Sequence, residues 1–237
     1  MNDLVTIQGL GYRRNLHTLL TGIDLTLGRD RIIGLLGANG AGKTTLMRLI
    51  AGLAGNYRGQ IAVAGKTSAV ARKASVSFTN ALVGANERQR VRELVNFWAL
   101  LYPDFDQNRF AALAETLTIP QDKRLAALSK GNRMKVEVAL TLARNAELYL
   151  LDEPFDGIDS MTRKKIITSI INWKPDGATI IISDHHVTDV ANLLDEVIIL
   201  KDQHVAAVAL TETIREQEHT TIEAYYEHFF EGSDTND

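Results

Sequence analysis

The sequence has no cysteine, which excludes a disulfide framework and any zinc or iron–sulfur site built on thiolates. It has no apolar run long enough to span a bilayer, and no apolar signal region at its N-terminus. It has no basic excess either, since the formal net charge is -3 across 237 residues, so no nucleic-acid partner is expected. We therefore expect a soluble, cytoplasmic protein that reaches a membrane only through a partner.

The apolar pattern predicts an α/β core that is interrupted by a helical segment. Continuous apolar runs such as Leu148–Leu151 are typical of strands buried on both faces of a sheet. Helical periodicity over Val91–Leu101 lies in a stretch where no strand is evident. The predicted organisation is a core at residues 1–85 and 146–210 and an inserted helical subdomain at 86–145. Residues 211–237 are expected to form a C-terminal helix and a disordered acidic tail.

Local patterns add two predictions within the core. The segment Gly11–Arg14 is expected to be a basic loop after the first strand, with Tyr12 in it. The segment Val187–Leu194 is expected to be a helix that follows the strand Ala178–Ser183.

One segment fits the pattern of a phosphate-binding loop, namely Gly37-Ala38-Asn39-Gly40-Ala41-Gly42-Lys43-Thr44-Thr45. An apolar strand pattern precedes it and a helical pattern follows it, which is the required context. Glycines let backbone N–H groups approach an anion, and the helix N-terminus adds partial positive charge. Lys43 is expected to reach the β- and γ-phosphates, and the Thr44 hydroxyl to bind Mg²⁺. The alternative, a glycine-rich turn without a ligand, is disfavoured by that context.

A pair of carboxylates, Asp152 and Glu153, follows the apolar run Leu148–Leu151. Consecutive side chains of a strand point in opposite directions, so one carboxylate can serve a metal ion while the other faces a phosphate. Our hypothesis gives Asp152 the Mg²⁺ ion and gives Glu153 the task of polarising water for in-line attack. The alternative is two solvated carboxylates in a turn.

These motifs, with several weaker ones in the same order, resemble the nucleotide-binding subunit of ABC transporters over nearly the whole chain. The weaker matches are Leu128-Ser129-Lys130-Gly131-Asn132 at the Leu-Ser-Gly-Gly-Gln signature, Gly157-Ile158-Asp159 at the D-loop, His185 at the switch histidine and Tyr12 at the adenine-stacking aromatic. The resemblance implies a P-loop NTPase core with a mixed sheet, flanking helices and N-terminal antiparallel strands. It also implies an inserted all-helical subdomain that carries the signature.

The resemblance implies contacts with ATP throughout the phosphate loop, from Gly37, Asn39, Gly40, Gly42, Lys43, Thr44 and Thr45. It also implies that Ser129 and Gly131 approach the γ-phosphate held by a second subunit, and Asp159 is placed among the nucleotide contacts. The dimer would be head-to-tail, as a homodimer or as a heterodimer with another ATP-binding subunit. From the sequence alone, Ser129 is equally an N-cap of the helix that follows it.

Two further implied roles have plain alternatives. His185 would stabilise the γ-phosphate and position the attacking water. A metal site shared with Asp184 and His186 is disfavoured because neighbouring side chains on an extended segment diverge, and a solvated loop histidine is the remaining reading. Tyr12 would stack on adenine, or would be an ordinary loop aromatic.

Two positions depart from the family's pattern. The loop glutamine is replaced by Asn80, which keeps the amide but has a shorter reach toward Mg²⁺. The signature has Lys130 in place of its first glycine and Asn132 in place of its glutamine. A signature that begins Leu-Ser-Lys-Gly resembles those of small bacterial ATPase subunits that pair with separately encoded, export-type membrane subunits.

The expected function is ATP hydrolysis that drives an integral membrane permease subunit, in the direction of export, from the cytoplasmic face of the cell membrane. The segment Asn86–Leu101, made basic by Arg88, Arg90 and Arg92, is either the face for that permease or a solvated helix start. The alternative function is a non-transport ABC ATPase acting on ribosomes or DNA, which one domain without a heptad arm disfavours. A P-loop kinase or GTPase would leave the signature and His185 without roles.

Overall fold

The computed structural model describes residues 3–184, 188 and 190–230. The strands are β1 (Asp3–Arg14), β2 (His17–Gly28), β3 (Ile32–Leu36), β4 (Arg58–Val63), β5 (Val76–Phe78), β6 (Leu148–Asp152), β7 (Thr179–Asp184), β8 (Glu196–Lys201) and β9 (His204–Leu210). The α-helices are α1 (Lys43–Ile50), α2 (Ala69–Ser75), α3 (Val91–Leu101), α4 (Gln107–Thr116), α5 (Lys130–Leu142), α6 (Ser160–Trp173), α7 (Thr211–Glu216) and α8 (Ile222–His228). A short 3₁₀ turn occupies Leu125–Ala127.

The strands form two sheets. The smaller is antiparallel, in the order β2-β1-β4. The larger has the order β5-β6-β7-β3-β8-β9, in which the first five strands are parallel and β9 runs antiparallel to β8. Because these strands are parallel, the carboxyl ends of β3, β5, β6 and β7 lie at one edge of this sheet.

The parallel strands are apolar on both faces because each face covers a separate hydrophobic cluster. On β6, Leu148 and Leu150 pack with α1 and the small sheet, whereas Tyr149 and Leu151 pack with the helices on the opposite side. Alternation of side chains along a strand accounts for this division. Helix α1 therefore lies between the two sheets, and the phosphate-loop segment enters it from β3.

Between β5 and β6 the described chain contains helices α3, α4 and α5 and no strand of either sheet. Asp106 begins α4 by accepting hydrogen bonds from the backbone N–H groups of Asn108 and Arg109. Ser129 begins α5 in the same way, through the N–H group of Asn132. None of the helices in the described ranges combines the length and the apolar character that crossing a bilayer requires.

Several local predictions were wrong. The segment Gly11–Arg14 is the end of β1 rather than a loop, because it continues to pair with β2. Residues 190–193 form a turn, with a hydrogen bond from Leu193 N to Val190 O, where a helix was predicted. The C-terminal part holds two helices instead of one, because the chain turns through a left-handed residue at His219 and Thr221 starts α8 as an N-cap.

Helix α2 was not predicted. It is seven residues long, and the residues that it buries are Arg72 and Ser75, so it lacks an apolar stripe. Its start is fixed by Ser68, whose hydroxyl accepts a hydrogen bond from Ala71 N.

Candidate functional site

The carboxyl edge of the large sheet brings together the phosphate loop and the acidic pair. Parallel pairing places Leu36, the last residue of β3, beside Asp184 on β7. It also places Asp152, the last residue of β6, beside Ser183 on β7. The ends of β3, β6 and β7 thus lie close together at this edge, which is where ligand sites are expected in open α/β sheets.

The backbone of the phosphate loop requires its glycines for different reasons. A Cβ on Gly37 would lie 2.5 Å from the carbonyl oxygen of Leu200, because the loop runs directly against β8. Gly40 and Gly42 have φ angles of 83° and 107°, which favour glycine. A Cβ on Gly40 would meet nothing within 4 Å, so the space beside this part of the loop is open.

Helix α1 begins at Lys43 with Gly42 as its N-cap, and no side chain caps its first turn. Its first N–H groups therefore keep their hydrogen-bonding capacity for another acceptor. Thr44 and Thr45, both half-buried, lie in this first turn, and Asn39 is exposed at the tip of the loop. An unpaired helix N-terminus behind an open glycine turn is an anion-binding arrangement.

Lys43 is a buried cation at the centre of this arrangement, with only 4% of its surface exposed. Its Nζ donates hydrogen bonds to the carbonyl oxygens of Gly37, at 2.7 Å, and Ala38, at 3.2 Å. It also lies 3.9 Å from Oε1 of Glu153. Burial lowers the pKa of Lys43, and the negative charges of Glu153, Asp152 and Asp184 oppose that effect.

Two buried hydroxyl groups hold the acidic pair in place. Ser183 Oγ donates to Asp152 Oδ1 at 2.6 Å and accepts from Glu153 N at 3.0 Å. Thr79 Oγ1 accepts from Asp152 N at 2.8 Å. Glu153 has a left-handed φ of 48°, so the strand ends at Asp152 and the simple alternation assumed from the sequence does not extend to Glu153.

Sequence reasoning missed Ser183 and Thr79. Both lie in or next to apolar strands, where a small hydroxyl residue is no departure from a strand pattern. The signal that identifies Ser183 is its pairing with Asp152 between parallel strands, which needs the strand register. Thr79 follows the three-residue strand β5, and its own N–H donates to Leu150 O.

Tyr12 lies on β1, and it lines a cavity of about 320 Å³ together with Thr45 of the first turn of α1. The cavity is also lined by Arg14, Leu19, Arg48, Leu53 and Ala54. Leu20, which pairs with Tyr12 between β1 and β2, lies against the phosphate loop, since a Cβ on Gly42 would lie 2.9 Å from Leu20 Cδ2. The structure thus puts the aromatic ring on the side of the loop where the helix begins.

The structure places the signature residues and Asp159 together, at the facing starts of α5 and α6. Ser129 caps α5, and Asp159 caps α6 through its bonds with Thr162 N and Oγ1. These bonds, that to Thr162 N first, lower the pKa of Asp159. A Cβ on Gly131 would make only ordinary contacts, 3.8 Å from Ile158 and Thr162, so packing within the chain does not require glycine there.

Of the two remaining predicted residues, the structure describes Asn80. Asn80 follows Thr79 at the edge of the sheet, where it lines a cavity of about 240 Å³ with Trp98, Tyr102 and Arg144. His185 lies outside the described residues, as does most of the segment that follows it.

Comparison with known proteins decides the family. Residues 20–156 of the chain match the family described as ABC transporter. The chain belongs to this family. Among its relatives, the lipopolysaccharide export system ATP-binding protein LptB of Haemophilus influenzae is 29% identical over 91% of this chain and 94% of its own. The ABC transporter ATP-binding protein NatA of Bacillus subtilis is 30% identical over 83% of each chain. The fluoroquinolones export ATP-binding protein of Mycobacterium tuberculosis is 30% identical over 87% of this chain and 70% of its own.

Solved structures agree on the fold. An ATP-binding subunit of an ABC transporter matches with a TM-score of 0.85 at 23% identity, covering 96% of this chain and 99% of that chain. A nucleotide-free ATP-binding cassette gives a TM-score of 0.77 at 18% identity, covering 94% and 98%. The P-loop NTPase fold and the family predicted from the sequence are confirmed. The protein is an ATP-binding subunit of the ABC transporter family, whose members in general hydrolyse ATP.

Proposed function

We propose that this protein hydrolyses ATP at the edge of its large sheet and couples the reaction to transport by a separate membrane permease. The observation that carries the catalytic part is the buried Lys43, held by the phosphate loop and 3.9 Å from Glu153. A buried cation flanked by loop carbonyls and carboxylates is suited to an anionic ligand that would neutralise it. Bound phosphates would replace the contacts of Lys43 with Gly37 and Ala38.

In the proposed reaction, ATP lies with its phosphates over the N-terminus of α1 and its adenine against Tyr12. Glu153 accepts a proton from water as the water oxygen attacks the γ-phosphorus and the bond to the β–γ bridging oxygen breaks. Lys43 and the N–H groups of the loop stabilise the charge that develops on the phosphate oxygens. The proposed role of His185 is to position the same water.

The chemistry of the donors fits Mg²⁺ bound together with phosphates. The described residues contain no group of three or more His, Cys, Asp or Glu side chains able to hold a metal without other ligands. Mg²⁺ is commonly bound by one or two carboxylates and by phosphates of the substrate. Thr44 and Asp152 would hold the ion, with the amide of Asn80 as a further ligand. The ion would neutralise phosphate charge during the reaction.

The proposed site is completed by a second subunit. Ser129 caps the N-terminus of α5, and a Cβ on Gly131 in the first turn of that helix would lie 3.8 Å from Ile158 and Thr162. Since packing inside the chain does not require Gly131, its bare backbone suits the close approach of a ligand held from outside. We propose a head-to-tail dimer in which these residues and Asp159 face the partner's nucleotide.

The permease surface is proposed at α3. Three large apolar side chains on this helix are exposed, Phe97 at 55%, Leu100 at 87% and Leu101 at 53%. Leu101 also lines the cavity that Asn80 and Trp98 line. Such an apolar surface next to a groove indicates a protein partner. Two of the arginines at the start of α3 are engaged within the chain, since Arg90 donates to the backbone carbonyl of Asp122 and Arg92 donates to its side chain.

Export from the cytoplasmic face of the cell membrane is the direction and place that we propose. It is supported by the names of the relatives, two of which are ATP-binding proteins of export systems. It is also supported by the Leu-Ser-Lys-Gly form of the signature.

Co-purification tests the whole proposal. The Glu153→Gln variant is expected to bind ATP but to hydrolyse it at least about a hundredfold more slowly, which favours the ATP-bound state. Tagged Glu153→Gln protein, extracted gently with ATP, should bring a polytopic membrane protein in stoichiometric amount. Leu100→Asp should lose it, whereas Val70→Asp, a matched change at an 80% exposed apolar residue of α2, should keep it. Recovery of ribosomal proteins or DNA without a membrane protein would contradict the proposal.

A further inference from the structure

Lys130, which replaces the first glycine of the family's signature, makes a specific contact within the chain. Its Nζ donates to Asp156 Oδ2 at 2.6 Å. On the way it passes over Gly157, where a Cβ would lie 2.5 Å from Nζ, so the bare backbone there leaves room for the ammonium group. The lysine therefore joins the signature turn (residues 128–132) to the turn that follows β6.

The second turn is the one that carries Glu153. The N–H of Asp156 donates to the carbonyl oxygen of Glu153 at 3.2 Å, which closes this turn. On its other side, the N–H of Glu153 is held by Ser183 O at 3.1 Å and Ser183 Oγ at 3.0 Å. Lys130 is thus linked to Glu153 through one intermediate residue, Asp156. The tight turn that joins Asp156 to Glu153 begins at the glutamate, which has a left-handed φ.

The orientation of Glu153 depends on that turn. A non-glycine residue with positive φ is disfavoured by itself and persists only where its surroundings fix it. Ser183 fixes the N-terminal side of Glu153, and the turn to Asp156 fixes the other side. An ion pair on Asp156 restricts the end of the turn, and it does so from the segment proposed to face the partner's nucleotide.

We propose that Lys130 is a positioning residue for ATP hydrolysis, which holds the Glu153 turn through Asp156 and links it to the signature turn. The inference rests on the proposed function of Glu153. Lys130 does not touch the reacting atoms of its own subunit in this role. Where the family's signature has a flexible glycine, Lys130 instead forms a tether, an ion pair that joins the signature turn to the turn that carries Glu153.

The Lys130→Met variant should show a reduced kcat and an almost unchanged KM for ATP. Both members of the ion pair are partly exposed, with side-chain exposures of 59% and 45%, so the effect should be modest. We expect kcat to fall about three- to fivefold, the scale of one partly exposed ion pair. Lys130→Arg should restore most of the loss. Because salt screens such a pair, the kcat of the wild type should fall toward that of Lys130→Met as ionic strength rises.

A double-mutant cycle with Asp156→Asn shows whether Lys130 and Asp156 act on kcat as one ion pair or independently of each other. If the pair acts as one unit, Asp156→Asn alone should give a similar loss, and the double variant should be no worse than either. Additive losses, or a Lys130→Met variant with wild-type kcat, would overturn the inference. Lys66→Met is the matched control, since it removes the partly exposed ion pair with Glu147 away from the site and should leave kcat unchanged.

Measuring the turnover of Glu153→Gln in parallel distinguishes a failure of the proposed function of Glu153 from a failure of the proposed role of Lys130. If Glu153→Gln retains normal turnover, the proposed function of Glu153 is wrong, and the proposed positioning role of Lys130 is wrong as well. If Glu153→Gln is inactive while the Lys130 and Asp156 variants turn over normally, the proposed function stands and the tether is wrong. Nucleotide binding and the unfolding temperature of each variant confirm that the fold is intact.

Discussion

Replacement of Ser183 by alanine tests whether one buried hydroxyl holds both carboxylates of the candidate site. Ser183 is fully buried on β7, where its Oγ donates to Asp152 Oδ1 and accepts from Glu153 N. Alanine keeps the strand and its backbone pairing but removes both contacts. The carboxylate of Asp152 then loses a charge-assisted hydrogen bond, while Glu153 N keeps the carbonyl oxygen of Ser183 at 3.1 Å.

The size of the effect follows from these two contacts. A hydrogen bond to a charged group contributes about 1.5–3 kcal/mol, whereas the contact of Glu153 N, which keeps its second acceptor, adds little. We therefore expect Ser183→Ala to lower the free energy of unfolding by about 2–3 kcal/mol. For a chain of this length that is roughly 4–12 °C in Tm. Loss of orientation of two site carboxylates should also lower kcat about tenfold to a hundredfold.

The assay compares Ser183→Ala with Ser169→Ala, by thermal unfolding and by ATP turnover. Ser169 is equally buried, on α6, but its Oγ has no hydrogen-bond partner among the described residues. The same substitution there should leave stability unchanged or slightly higher, with normal turnover. If the two variants are equally stable and equally active, the hydroxyl of Ser183 does not hold the site as we have argued.

Two further substitutions test a half-buried carboxylate, Glu137, and a buried guanidinium, Arg72, outside the phosphate loop. Burial raises the pKa of Glu137, so the folded protein loses stability relative to the unfolded chain as pH rises from the ordinary value of 4.5 through the raised pKa. Glu137→Gln, which keeps an acceptor for Leu82 N, should therefore be the more stable protein at about pH 8 and lose that advantage at about pH 4, as measured by urea unfolding. Arg72→Met should cost at least about 2 kcal/mol, because it removes the donor to the Tyr57 hydroxyl and to three carbonyl groups, of which those of Ile61 and Leu49 are in buried contacts. Lys73→Met should be near neutral in the same assay.

The fold could be predicted from the sequence where the patterns are long. The helix at Val91–Leu101 was predicted with the bounds that the structure shows, and the apolar run Leu148–Leu151 lies in strand β6. Short elements without an apolar pattern were missed, as α2 shows. The turn at residues 190–193 was predicted as a helix because its apolar spacing satisfied a helical period over too few residues to decide.

Some residues of the candidate site could likewise be predicted from the sequence, and others could not. The phosphate loop, Asp152 and Glu153 are recognisable because their chemistry lies in consecutive residues. Their roles, and those of Tyr12 and Ser129, remain predictions that the variants above test. Ser183, Thr79 and the contact between Lys130 and Asp156 join residues that are far apart in the chain. Such contacts depend on which strands are neighbours and in what register, which no local pattern determines.

Two features of the candidate site are unfavourable by themselves. Lys43 is a buried cation with a lowered pKa, and Glu153 has a left-handed backbone. Neither feature stabilises the subunit by itself, so each must be held by its surroundings, which for Glu153 include the hydroxyl and carbonyl oxygens of Ser183. A ligand that carries negative charge would offset the cost at Lys43. Binding of ATP can therefore favour an ordered site, and it would favour the closed form of the proposed dimer to the extent that it binds that state more tightly.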